Sequence, residues 1–188
     1  MGALRYTFNN RKATQAAAFI LRQAEGNGIV LTKGPLVKML YAADRRQLKR
    51  IGKPITGDRL ASMDHGPVLS KILDYLDGDV VDFYWSRHIS KAKTDTHRVQ
   101  LLAPVPDDLL SEKEKEALTM AFTFFKDMSW EEIQDYFHAH FKEWEDPKGT
   151  SKPIAYELLL KSANKTVAFI EDVKCQQAEE ALLKKIFA

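Results

Sequence analysis

The chain has almost no cysteine, no long apolar run and almost no net charge, and each shortage argues against a class of protein. Among the 188 residues the only cysteine is Cys175, so an intramolecular disulfide is excluded and a thiolate zinc cluster is disfavoured. No eighteen apolar residues run together, and residues 1–10 lack the apolar core of a signal peptide. With 28 Lys and Arg against 26 Asp and Glu, no overall field would hold a nucleic acid or an anionic membrane. We therefore expect a cytoplasmic protein.

Recognisable catalytic signatures are also missing. The chain has no Gly-x-Ser-x-Gly elbow, no Walker loop and no complete Gly-x-Gly-x-x-Gly fingerprint. His138 and His140 are two residues apart on a predicted helix, so their side chains diverge and cannot readily hold one metal ion. We expect no enzymatic activity, no cofactor and no metal site.

Apolar residues recur at helical spacing over most of the chain. The pattern predicts helices at residues 12–24, 32–51, 67–76, 154–162 and 166–187, and two more that begin at the capping boxes of Ser111 with Glu114 and Ser129 with Glu132. Residues 59–63 read as a strand, residues 80–85 and 97–102 as a hairpin around a turn at 90–95, and residues 146–153 as a loop. The fold class expected is mainly α with a small antiparallel β-sheet or hairpin (α+β), in one compact helical domain. We divide it into a domain at 1–150 and a docked helical extension at 151–188.

Asp44 breaks the apolar stripe of the second predicted helix, between Leu40 and Leu48. A buried carboxylate without a partner costs several kcal/mol, roughly, so we expect backbone N–H groups, a hydroxyl or a cation beside it. A structural tie between this helix and a loop is the favoured interpretation, and a functional role is the alternative. The cations that follow, from Arg45 to Arg50, give the helix end a basic face.

The segment from Asp64 to Pro67 predicts the start of the third helix, where free N–H groups attract a carboxylate. That carboxylate is either Asp44 or an acidic side chain of a partner; alternatively, Gly66 and Pro67 only set the backbone. We expect both to lie close to Asp44. Further along, His140 shares an apolar stripe and is predicted to point toward Trp144, with His138 on the wet face.

Four segments occur in an order that resembles one known family. They are residues 38–45 (KMLYAADR), 52–58 (GKPITGD), 61–68 (ASMDHGPV) and 140–144 (HFKEW). Over residues 13–146 they are similar to the Panacea domain, the family of SocA-like and phage-associated antitoxins, although His65 replaces an aromatic residue before the Gly-Pro pair. The signature positions are Tyr41, Asp44, Arg45, Asp58, His65, Gly66, Pro67, His140 and Trp144.

The resemblance implies a mostly helical fold with a small β element, and an antitoxin that neutralises a cognate protein toxin encoded beside it. It leaves open whether the signature residues hold the scaffold or touch the toxin, and whether the toxin is bound directly or delivered to a protease. The alternative function is a DNA-binding regulator that uses the basic face at residues 45–53.

Overall fold

The computed structural model describes residues 2–91 and 97–187, in which eight helices accompany five short strands. The helices are α1 (Asn10–Gly26), α2 (Lys33–Ile51), α3 (Ser70–Asp77), α4 (Phe83–His88), α5 (Glu112–Phe125), α6 (Trp130–His140), α7 (Tyr156–Ser162) and α8 (Val167–Ile186). The strands are β1 (Leu60–Met63), β2 (Gly66–Leu69), β3 (Ile89–Lys91), β4 (Val99–Leu101) and β5 (Lys152–Ile154). The expected α+β class is confirmed.

Helix α2 lies at the centre of the core and packs against α1, α5, α6 and β2. It starts after Thr32 and ends at Gly52, whose φ of 70° is the left-handed conformation that terminates a helix. Its neighbour α1 buries a row of small residues, among them Ala13, Ala16 and Ala17, which let the helix backbone approach closely. This arrangement leaves one face of the C-terminal half of α2 for the site described below.

Strand β1 is the middle of a three-stranded antiparallel sheet with the order β2-β1-β5. Leu60 pairs with Leu69 on one side and with Ile154 on the other. The strand predicted at residues 59–63 is therefore confirmed, but part of the loop predicted at 146–153 is the edge strand β5. The boundary drawn at residue 150 stays a prediction; β5 and the buried Leu159 and Leu160 of α7 belong to the same core.

The predicted start of the third helix at Pro67 is wrong. Gly66 to Leu69 form β2, which returns along β1 after a tight turn, and α3 begins only at Ser70. Because β2 is an edge strand, it is a position in the sheet where proline is tolerated.

The strand predicted at residues 80–85 is also wrong, because α4 begins at Phe83. Asp82 caps this helix by accepting a hydrogen bond from the Trp85 N–H at 2.8 Å. Trp85 is buried against Tyr75, with ring centroids 5.4 Å apart. The antiparallel pairing of residues 89–91 with 99–101 does occur, whereas the predicted turn at 90–95 lies, beyond residue 91, outside the described residues.

Both predicted capping boxes are present, Ser111 with Glu114 on α5 and Ser129 with Glu132 on α6. The two predicted C-terminal helices correspond to α7 and α8. No helix within the two described ranges combines the length and the apolar character required to cross a bilayer.

Candidate functional site

A fully buried carboxylate, Glu143, joins three separate parts of the chain. Arg45 on α2 donates to it from Nε at 2.7 Å and from Nη2 at 3.2 Å. The hydroxyls of Tyr41 and Ser162 donate at 3.1 Å and 2.7 Å, respectively. Burial, and then the charge of Glu143, holds the pKa of Tyr41 well above its usual value, so the tyrosine stays a donor. We call these four residues the Glu143 network.

Asp44 is buried and accepts hydrogen bonds from the backbone N–H groups of Ile55 and Thr56, at 3.0 Å and 3.1 Å, and from the Thr56 hydroxyl. The expected partners are confirmed, and the carboxylate ties α2 to the loop that follows it. Burial raises the pKa of Asp44 to about 7 against the opposing effect of the Thr56 hydrogen bonds.

Asp58, and not Asp44, is the carboxylate at the start of α3. It accepts hydrogen bonds from the N–H groups of Lys71 at 3.0 Å and Ile72 at 2.9 Å. The Tyr156 hydroxyl donates to the Asp58 carbonyl oxygen, so α7 is attached at the same place. Of the alternatives for this helix start, Asp44 is therefore wrong: the helix begins at Ser70 and not at Pro67, and Asp58 accepts from its first N–H groups.

Gly66 and Pro67 lie against a buried lysine that the sequence analysis missed. Lys38 is only 1% exposed, and its Nζ donates to the Pro67 carbonyl oxygen at 2.8 Å and lies 5.0 Å from the centroid of the Phe137 ring. The one sequence signal for Lys38 is its place at the start of the family-like segment at residues 38–45. His65, one residue before this contact, is exposed and approaches Trp130 edge-on at 5.9 Å.

Lys38 predicts a specific pH dependence of stability. Burial lowers the pKa of Lys38 from 10.5 to about 7. Between these values the unfolded chain binds a proton that the folded chain does not, so the free energy of unfolding rises with pH. We expect a rise on the order of a few kcal/mol between pH about 7 and about 10 that is absent from Lys38→Met.

Urea denaturation of both proteins at the two pH values measures this difference, because the other groups titrate in both proteins. Asp44 does not interfere, since its shift acts between pH 3.8 and about 7. Equal pH dependence in the two proteins would mean that Lys38 keeps its proton in the folded chain.

The predicted orientation of the α6 histidines is reversed. His138 stacks on Trp144 with ring centroids 4.1 Å apart, whereas His140 is exposed and lies against Tyr136 at 4.3 Å. The chain turns back after α6, and the Trp144 indole N–H donates to the Met63 carbonyl oxygen at 2.8 Å. Trp144 therefore fixes the β1–β2 turn to the end of α6.

A concave surface lies between α2, α5 and α6, and Arg45 of the Glu143 network forms part of it. It encloses about 480 Å³. Its lining consists of Ala42, Arg45, Arg46, Lys49, Arg50, Ala117, Met120, Ala121, Phe124, Phe125, Tyr136, Phe141 and Lys165. We call it the α2–α5–α6 groove. The Arg45 guanidinium lies 4.6 Å from the centroid of the Phe141 ring and forms part of the wall.

The groove is positively charged because four of its cations form no ion pair with a carboxylate in residues 2–91 and 97–187. They are Arg46, Lys49, Arg50 and Lys165. Burial and then the charges of Arg45, Lys165 and Arg46 lower the pKa of Lys49, as expected for a cation among cations. The basic face predicted for the end of α2 is thus one side of a groove.

Arg45 is both a signature position and part of the groove wall, but three other signature positions differ from the groove in character. Tyr41, Asp44 and Asp58 are buried and satisfied within the chain, whereas the groove exposes cations and apolar groups. Glu143, the acceptor that joins the signature residues Tyr41 and Arg45, was missed; its only sequence signal is its place between Phe141 and Trp144.

Over the described part of the chain, no group of three or more His, Cys, Asp or Glu side chains is placed to hold a metal ion.

The family model described as antitoxin SocA-like, Panacea domain, matches residues 36–145, more than half of the 188. Comparisons with curated proteins and with solved structures give no match.

Proposed function

Because the chain belongs to the antitoxin SocA-like, Panacea domain family, we propose that it neutralises a cognate protein toxin in the cytoplasm by binding it directly. Neutralisation in this proposal is stoichiometric and involves no chemical step. The family match carries the proposal, since residues 36–145 contain every signature position and Glu143.

The burial of Asp44, Asp58 and Glu143 supports a division of labour between scaffold and contact surface. Asp44 and Asp58 use their oxygen atoms on backbone N–H groups, and Glu143 is saturated by Arg45, Tyr41 and Ser162. Side chains that are satisfied inside the chain offer little to a partner. The toxin contact therefore falls on exposed residues held in place by this frame.

Co-expression with the neighbouring reading frame tests the proposal. We expect the neighbour alone to arrest growth, and this chain to restore growth and to copurify with the neighbour's product. A frameshifted copy of the present gene is the control for effects of the transcript. If the neighbour is toxic and this chain neither restores growth nor forms a complex, the proposal fails.

The same cells distinguish direct neutralisation from delivery of the toxin to a protease. Direct binding leaves the amount of toxin unchanged or raises it, because the complex protects the bound protein. Delivery shortens the half-life of the toxin after synthesis is stopped. We propose direct binding, since neither the buried signature residues nor the α2–α5–α6 groove calls for more than a bound partner.

A further inference from the structure

We propose that the α2–α5–α6 groove is the partner-binding surface and that it takes an acidic amphipathic helix, whose carboxylates meet the groove cations and whose apolar side chain enters between α5 and α6. This inference rests on the proposed function and adds the chemistry of the partner segment.

The charges of the groove call for an acidic occupant. Arg45 is neutralised by Glu143, but Arg46 and Arg50 are exposed on α2 without an ion pair among the described residues. Lys49 and Lys165 add two more cations. Glu116 of α5 does not line the groove and already pairs with Lys113 at 2.8 Å, and its pKa is lowered by Lys113 and then by the charges of Arg46 and Arg50. The groove therefore keeps a positive excess in a chain whose net charge is only +2.

The apolar part of the groove calls for an aliphatic or aromatic side chain. Phe124 is 49% exposed and Met120 is 43% exposed, although both lie beside the buried residues of α5. Phe124 contacts Phe125 and Tyr136, with ring centroids 4.8 Å and 4.9 Å away. An amphipathic helix places an apolar anchor in such a cleft and charged side chains along its rim.

Nucleic acid fits the same surface less well. Lys53, which extends the basic face in the sequence, pairs with Glu180 at 3.2 Å, away from the groove. Among the aromatic rings that line the groove, Phe125 and Phe141 are buried, so Phe124 is the one largely exposed ring on which a base could stack, and its neighbours Met120 and Ala117 are aliphatic. A bound nucleotide chain would leave this apolar wall without a partner.

The test uses a pair of charge reversals and a matched control. Arg46→Glu with Arg50→Glu reverses the groove, and Arg87→Glu with Lys148→Glu makes the same change at exposed positions on α4 and in the loop after α6. Circular dichroism and thermal unfolding establish that both variants fold. Phe124→Ala removes the exposed ring from the apolar wall of the groove and leaves the groove cations unchanged.

The first measurement is binding of a short labelled peptide that forms an amphipathic helix of Glu, Leu and Phe. A second peptide with Lys in place of Glu and a short DNA duplex are the competing probes. We expect the acidic peptide to bind, to lose affinity about ten-fold or more in the groove variant and to be unaffected in the control. Preferred binding of the duplex would overturn the inference in favour of a nucleic acid.

The second measurement is toxin neutralisation in the co-expression assay. Loss of rescue in the groove variant, with rescue retained by the control, supports the inference whatever the affinity of the model peptide. If wild type and groove variant rescue equally, the inference fails while the proposed function stands. If wild type does not rescue, the proposed function fails, and the peptide alone decides whether the groove is an acidic-segment site.

Discussion

Replacing Glu143 with alanine is expected to lower the free energy of unfolding by about 3–5 kcal/mol. The substitution removes the carboxylate that Arg45 contacts at 2.7 Å, and it leaves the hydroxyls of Tyr41 and Ser162 without this acceptor. Tyr41 is fully buried, and the side chain of Arg45 is only 14% exposed, so water cannot replace the lost partner without opening the core.

Urea denaturation measures this loss, and Glu145→Ala provides the matched control two residues away. Glu145 pairs with Lys152 at 3.1 Å, but its side chain is 80% exposed, so its removal should change the free energy of unfolding by less than about 1 kcal/mol. Equal effects of the two substitutions would mean that the Glu143 network does not hold α2, α6 and α7 together.

Gly66→Ala is expected to cost about 2–4 kcal/mol, the second largest effect. Gly66 has a φ of +94°, where a side chain is strained. A Cβ there would also lie 2.9 Å from the Lys38 Nζ and 3.3 Å from the Phe137 Cβ. Lys38 would have to leave the Pro67 carbonyl oxygen, and its ammonium group has no other acceptor in this buried position among the described residues.

Gly78→Ala separates backbone strain from this contact. Gly78 has a φ of +83°, but nothing lies within 4 Å of the Cβ position. We expect it to lose about 1 kcal/mol, close to the ordinary cost of a side chain in the left-handed region. If the two alanine variants unfold at the same urea concentration, the contact with Lys38 contributes nothing and the glycine of the signature is required only for its backbone.

The parts of the fold that the sequence predicts are those governed by local rules. The capping boxes at Ser111 and Ser129 depend on residues three apart, and α5 and α6 begin where they indicate. Strand β5 depends on distant pairing instead. Residues 152–154 carry no strand signal of their own, and they form β5 by antiparallel pairing with β1. At Phe83, the cap from Asp82 and burial of Trp85 outweigh a β-rich composition.

The same distinction separates the predictable and unpredictable parts of the site. The break in the stripe of α2 correctly indicates that Asp44 needs partners, because the pattern lies within one helix. Identifying the carboxylate at the start of α3 requires the path of the chain between α2 and α3, which the sequence does not show. Asp58 accepts the hydrogen bonds from the first N–H groups of α3. His138 faces Trp144 because the chain reverses after α6, which the helical period of the sequence cannot show.

The pairing of β5 with β1 also sets a delay during synthesis. Leu60 and its partner Ile154 are separated by half of the 188-residue chain. At a translation rate of about 5–20 residues per second, on the order of ten seconds pass between the synthesis of the two strands. During that time the edge of β1 is uncovered, and Ser162, a member of the Glu143 network, has not yet been made.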